Sequence, residues 1–133
     1  MTPGSILHDK NFKFRDGTTG NKLLVVLNDG AGGLCIVLKT TSQEKGKKRT
    51  LGCHLYDRPP NFFIPQGRSW FDLDTWVELN NFFEIDTQSL SALPQPGTLP
   101  ADILKDLLVC AIASQDISIA QTQILQGILA ALN

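Results

Sequence analysis

Short apolar runs separated by polar, turn-forming breaks fill residues 5–86, and a pattern with helical spacing takes over after residue 100. Residues 5–12 alternate poorly, but the Asp-Gly-Thr-Thr-Gly cluster at 16–20 ends whatever strand they form. Leu23 to Leu27 is rich in β-formers, and the break from Asn28 to Gly33 supplies glycines wherever a turn needs positive φ. Leu34 to Leu38 is its natural hairpin partner, leading through Lys39 to Ser42 into a charged tip at 44–48, with residues 49–56 returning as the next strand. Prolines at 59, 60 and 65 exclude a central strand from 57–74, which reads as a long ordered loop. Its aromatic residues Phe62, Phe63, Trp70 and Phe71 are costly to leave in water, so the loop is expected to fold over the sheet or against a partner. Residues 75–85 alternate in part and predict one or two further strands.

The Pro-rich stretch 93–100 marks the change of pattern. Pro100 suits a first helical turn, and Ile103, Leu104, Leu107, Leu108 and Ala111 recur at three- and four-residue spacing. Ser114 or Asp116 is placed to cap a second helix, whose stripe runs through Ile117, Ala120, Ile124, Leu125, Ile128, Leu129 and Leu132. Strands first and helices last fit a small barrel or two-layer β architecture with C-terminal helices better than a parallel α/β fold. With 133 residues the chain is expected to form one domain, a β part over 1–92 with the loop at 57–74 and a helical part over 99–133.

Charge changes the picture more than composition does. The net charge of −1 hides a polarity, because residues 1–68 hold eleven of the twelve Lys and Arg against five of the thirteen acids. A basic surface on the strands and an acidic one elsewhere is expected. Cys35, Cys53 and Cys110 have no CxxC spacing, and their odd number argues for buried thiols rather than a disulfide scaffold. No apolar run reaches the ~20 residues of a membrane span, and the N-terminal residues lack the apolar core of a secretory signal, so a cytoplasmic location is expected.

Few residues advertise chemistry. The glycines at 30, 32 and 33 lack a P-loop pattern and read as a hairpin turn. Cys53 and His54 are adjacent on a strand and point to opposite faces, wrong for two ligands of one metal, so no metal site and no cofactor are expected. His54 reads as an ordinary half-buried histidine or as a general acid or base. Asp72 and Asp74 alternate onto one face of an extended segment, but no third acid is placed to complete a cation site. Lys39, Thr40, Thr41 and Ser42, beside Lys45, Lys47 and Lys48, combine hydroxyls and cations suited to a phosphodiester; a solvated hairpin end is the plainer reading.

Pro3 to Ile6 opening the first strand, Gly20 to Leu27 after a polar loop, and Cys35 to Thr41 together resemble the PemK/MazF (CcdB-like) toxins of bacterial toxin–antitoxin pairs. The likeness covers residues 3–42, with looser likeness in 74–79 to a later strand and in 99–113 to a C-terminal helix. It implies a small SH3-like barrel, a homodimer, an antitoxin partner, and metal-independent cleavage of single-stranded RNA with the ribose 2′-hydroxyl as nucleophile. It also implies catalytic residues: Lys22 stands where the family has an arginine, Thr40 where it has a threonine, and Leu23 replaces the family's proline. Arg15, Lys39, Thr41, Lys45, Lys47 and Lys48 would then hold the RNA. A lysine lacks the arginine's bidentate fork, so the alternative is a related barrel acting as a non-catalytic nucleic-acid or protein interaction module. A third reading is an unrelated β-protein serving as a structural subunit.

Overall fold

The structure is a computed structural model that describes residues 1–43 and 46–133. It is mainly β, a curled antiparallel sheet followed by C-terminal helices. The first three strands are β1 (Ser5–Lys13), β2 (Thr19–Val26) and β3 (Leu34–Thr41), which pair in sequence order. The poor alternation of residues 5–12 has a physical cause: the β1–β2 register shifts between Asp9 and Phe12, so β1 carries one extra residue. Because of that bulge Leu7 and Phe12 join one cluster, with Leu24, Val26 and Val37.

The β2–β3 hairpin forms about Asn28, whose buried side chain donates to the Leu34 carbonyl and accepts from the Ile36 amide. Gly30 has φ +76° and its Cα lies so close to Thr87 that a Cβ would meet Oγ1 at 2.6 Å, so this position requires glycine twice over.

Beyond the hairpin the chain continues through β4 (Gly52–His54), β5 (Asn61–Ile64), β6 (Thr75–Glu78) and β7 (Phe83–Asp86). The short helix α1 (Thr87–Ser91), the two-residue β8 (Gly97–Thr98), α2 (Ala101–Ile112) and α3 (Ile119–Leu132) complete it. The sheet order is β4-β5-β6-β3-β2-β1-β8, with β7 pairing the first half of β3. One long strand therefore serves two neighbours on one side, β7 at Leu34 to Val37 and β6 at Thr40 and Thr41.

The segment 57–74 corrects the sequence reading. Residues 61–64 are a central strand, fully buried between β4 and β6, because the prolines at 59, 60 and 65 flank it rather than interrupt it. The Pro60 carbonyl even accepts from the Leu79 amide, 2.9 Å. Phe62 and Phe63 are thus core residues, Phe63 packing on Trp76 at 5.0 Å. The strand expected over 49–56 shrinks to three residues.

Ile103, Leu104, Leu107, Leu108 and Ala111 of α2 cover the inner face of the sheet against Ile6, Val25, Leu38, Phe62 and Val77. Pro100 stands at the N-cap. The second helix starts later than its candidate caps. Ser118 and Gln121 form a reciprocal capping box, whereas Ser114 is buried and donates to the Leu79 carbonyl. Only Leu125 of the α3 stripe is fully buried; Ile117, Ile128, Leu129 and Leu132 are half-buried, and Ala120 and Ile124 are exposed.

The cysteines also depart from expectation. Cys53 on the exposed β4 edge is disulfide-bonded to the buried Cys110 of α2, and only Cys35 is a buried thiol. Residues 57 apart in sequence meet because α2 crosses behind β4, a juxtaposition that spacing alone does not reveal. Among the described residues no helix is long and apolar enough to cross a membrane.

Candidate functional site

Register places the site. His8 on β1 lies directly opposite Leu23 on β2, and the Thr40 hydroxyl of β3 donates to the Leu23 carbonyl at 2.8 Å. His8, Leu23 and Thr40 thus form a row across three strands. One side of a cavity of about 520 Å³, open to solvent, is built from that row with Asn21, Lys22, Thr41, Ser42 and Gln43. The segment from Trp70 to Leu73, with Thr75, builds the other side. A volume of this order accepts a nucleotide-sized ligand.

Lys22 alternates to the opposite face from Leu23, over the Phe14 ring at 6.0 Å, and its Nζ reaches back to donate to the Thr40 carbonyl at 3.1 Å. The ammonium therefore sits at the groove's rim, where β2 and β3 separate. Thr40 is 5% exposed, and its hydroxyl proton is engaged by Leu23. Thr41 is half-buried, and its Oγ1 accepts from the Gln43 amide at 3.2 Å. His8 Nε2 lies 2.7 Å from Asn21 Oδ1. With the amide oxygen accepting, Nε2 is the donor of this pair.

The other described residues expected to hold RNA are not among those lining the groove. Lys39 contacts Glu78 Oε2 at 3.0 Å, an ionic contact off the line of a hydrogen bond, and lies 5.8 Å from the Phe14 centroid. Lys47 is buried over the Trp76 ring at 5.8 Å and donates to the Gln43 carbonyl at 3.3 Å. Lys48 points into solvent, 4.0 Å from Asp57 Oδ1. Arg15 is exposed in the turn after β1, and Lys45 lies outside the described residues. The fold therefore gathers Lys22, Thr40 and Thr41 at the groove, holds Lys39 to Glu78 near the Phe14 ring that Lys22 also approaches, and places Arg15, Lys47 and Lys48 elsewhere.

Three groove residues carry no motif that sequence reading could have caught. His8 and Asn21 come together only through the β1–β2 register, and Trp70 looks like any loop aromatic. Of the two aspartates considered for a cation, Asp72 lines the groove while Asp74 accepts from the Gln66 amide at 2.8 Å. Among the described residues no group of three His, Cys, Asp or Glu is arranged to hold a metal. His54, on β4, bonds the Thr50 carbonyl at 2.6 Å and is not among the groove residues.

The chain matches no protein-family profile, no curated protein and no solved structure.

Proposed function

We propose that this protein is a divergent PemK/MazF-like toxin, a small SH3-like (CcdB/PemK-type) barrel that cleaves single-stranded RNA without a metal. The observation that carries this reading is the Lys22 ammonium bonded to the Thr40 carbonyl at 3.1 Å, at the rim of an open groove that His8 also lines. The two positions that the resemblance singles out lie eighteen residues apart in sequence and meet at one end of the hairpin.

In the proposed reaction the ribose 2′-oxygen attacks the adjacent phosphorus and the 5′-oxygen departs, leaving a 2′,3′-cyclic phosphate. His8 Nδ1 accepts the 2′-hydroxyl proton, the role of a positioned general base. Lys22 neutralises charge gathering on the phosphorane oxygens, and the departing 5′-oxygen takes a proton from water while His8 returns its own to solvent, which completes the exchange. Thr41 offers the phosphate a hydroxyl from the same groove. A homodimer and an antitoxin protein are the partners this reading brings with it. It also places the protein in the cytoplasm, where thiol buffers act against the Cys53–Cys110 bond.

The non-catalytic alternative has its own observation. The Thr40 hydroxyl that would hold the phosphate is 5% exposed and already donates to Leu23. A barrel that binds nucleic acid or protein without cleaving it fits that arrangement.

Incubation of folded, antitoxin-free protein with long single-stranded RNA in EDTA separates the two. Cleavage by the wild type that is lost in both Lys22→Ala and His8→Ala supports the nuclease. RNA left intact by the wild type sinks it in favour of the binding module.

A further inference from the structure

The two tryptophans of this chain occupy opposite situations. Trp76 is 1% exposed, with its indole N–H bonded to the Lys48 carbonyl at 3.0 Å, whereas Trp70 is 40% exposed on the groove wall. An exposed aromatic residue is by itself ordinary. Trp70 differs because its position is built. A Cβ on Gly97 would lie 2.6 Å from Trp70 Cγ and 2.9 Å from Cδ1, so the pyrrole side of the indole rests where no other residue leaves room. Gly97 is itself fixed by the β8–β1 pairing with Ile6. The following residue, Phe71, is buried and meets the indole edge-on at 5.9 Å. A large ring is thus anchored from behind and left open toward the cavity.

We propose that Trp70 is the stacking platform for an unpaired nucleobase, with Gly97 as its seat. The inference rests on the reading of the groove as a single-stranded RNA site and adds which wall takes the base. Charge orients the nucleotide. Lys22 stands at the β2–β3 rim and attracts phosphate, while Asp72 on the Trp70 side repels phosphate and accepts hydrogen bonds from base N–H groups. Phosphate at Lys22 and base at Trp70 is the arrangement that satisfies both. Stacking on an aromatic side chain is sequence-tolerant, because every base presents a π face.

The test uses a fluorescein-labelled 2′-O-methyl RNA pentamer, which lacks the nucleophile and survives the measurement, and matched pentamers with an abasic position at each residue in turn. Anisotropy should show wild-type binding, weakened about tenfold or more in Trp70→Ala and less in Trp70→Phe. One abasic position should weaken the wild type comparably and add nothing further in Trp70→Ala, which a merely structural tryptophan would not produce. Gly97→Ala, keeping the indole but displacing it, should show a similar loss.

Binding by Trp70→Ala within about twofold of wild type overturns the inference and leaves the groove reading standing. A dimer that dissociates in Trp70→Ala with RNA affinity unchanged also overturns it, marking that wall as a protein contact. No binding by the wild type up to about 1 mM overturns both.

Discussion

The groove and the segment from Lys47 to Asp57 both hold basic residues, but their side chains are engaged differently. In the second region Lys47 lies over Trp76, and the Lys48 carbonyl accepts from the Trp76 indole. The Lys48 amide donates to Asp57, and Cys53 is bonded to Cys110. That region is a strap holding β4 to the rest of the molecule. The groove gathers Lys22, His8, Asn21, Asp72 and Trp70 around open space. A lysine count favours the strap as the nucleic-acid surface, while the burial of Lys47 over Trp76 and the open space beside Lys22 favour the groove. Density of charge along a sequence is a poor guide when the fold can engage each charge separately.

Cutting the strap at its covalent link is the largest test of this contrast. A crosslink enclosing 57 residues restricts the unfolded chain by about 4 kcal/mol on the chain-entropy account. Cys53→Ser is therefore expected to lower the stability measured by urea unfolding by an amount of that order, with RNA cleavage per folded molecule unchanged. Loss of cleavage without loss of stability would erase the distinction between strap and groove.

Lys22→Ala sharpens the contrast from the other side. Removing one charge that stabilises a developing anion typically lowers turnover by about 10²- to 10³-fold. The substitution is expected to reduce cleavage on that scale while urea unfolding moves by about 1 kcal/mol or less, the worth of one partly exposed hydrogen bond. A stability loss much larger than this would make Lys22 a member of the strap class.

The split between strap and groove was only half legible in the chain. Alternation and turn residues located β2, β3 and their hairpin, since a run such as Leu23 to Leu27 ended by Asn28 to Gly33 has few other solutions. Helical spacing located α2 and its buried face. The prolines misled because a strand between them is only four residues long, too short for its buried-on-both-faces character to show. At the groove, Lys22 and Thr40 entered through a family likeness rather than through any local signal. His8 and Trp70 stayed hidden because β1–β2 register and the Gly97 seat bring them in, and both are long-range properties. The disulfide was invisible for the same reason.

Inside the strap, Lys47→Ala removes a cation lying 5.8 Å from the Trp76 ring centroid and an ammonium donating to the Gln43 carbonyl. The expected loss is about 1–2 kcal/mol of stability, with RNA affinity unchanged. Lys47→Met keeps the apolar stem over the ring and should recover part of it. A fall in RNA affinity in Lys47→Ala, measured with the same labelled pentamer at constant salt, would return this lysine to the binding surface.

The smallest effect belongs to the carboxylate at the end of the strap. Burial raises the Asp57 pKa, but the Lys48 amide, the Asn61 side-chain amide and the charges of Lys48 and His54 together outweigh it and hold the carboxyl below its ordinary value. A group whose pKa is lower in the folded state than in the unfolded one binds its proton more readily when unfolded. Its contribution to stability is therefore complete above the unfolded value of about 3.9 and is lost as pH falls through the folded one. Wild type and Asp57→Asn should accordingly differ most near neutral pH and converge on acidification below about pH 4. A difference that stays constant from pH 7 to pH 3 would mean that Asp57 acts through packing alone, leaving Trp76 and the disulfide to hold the strap.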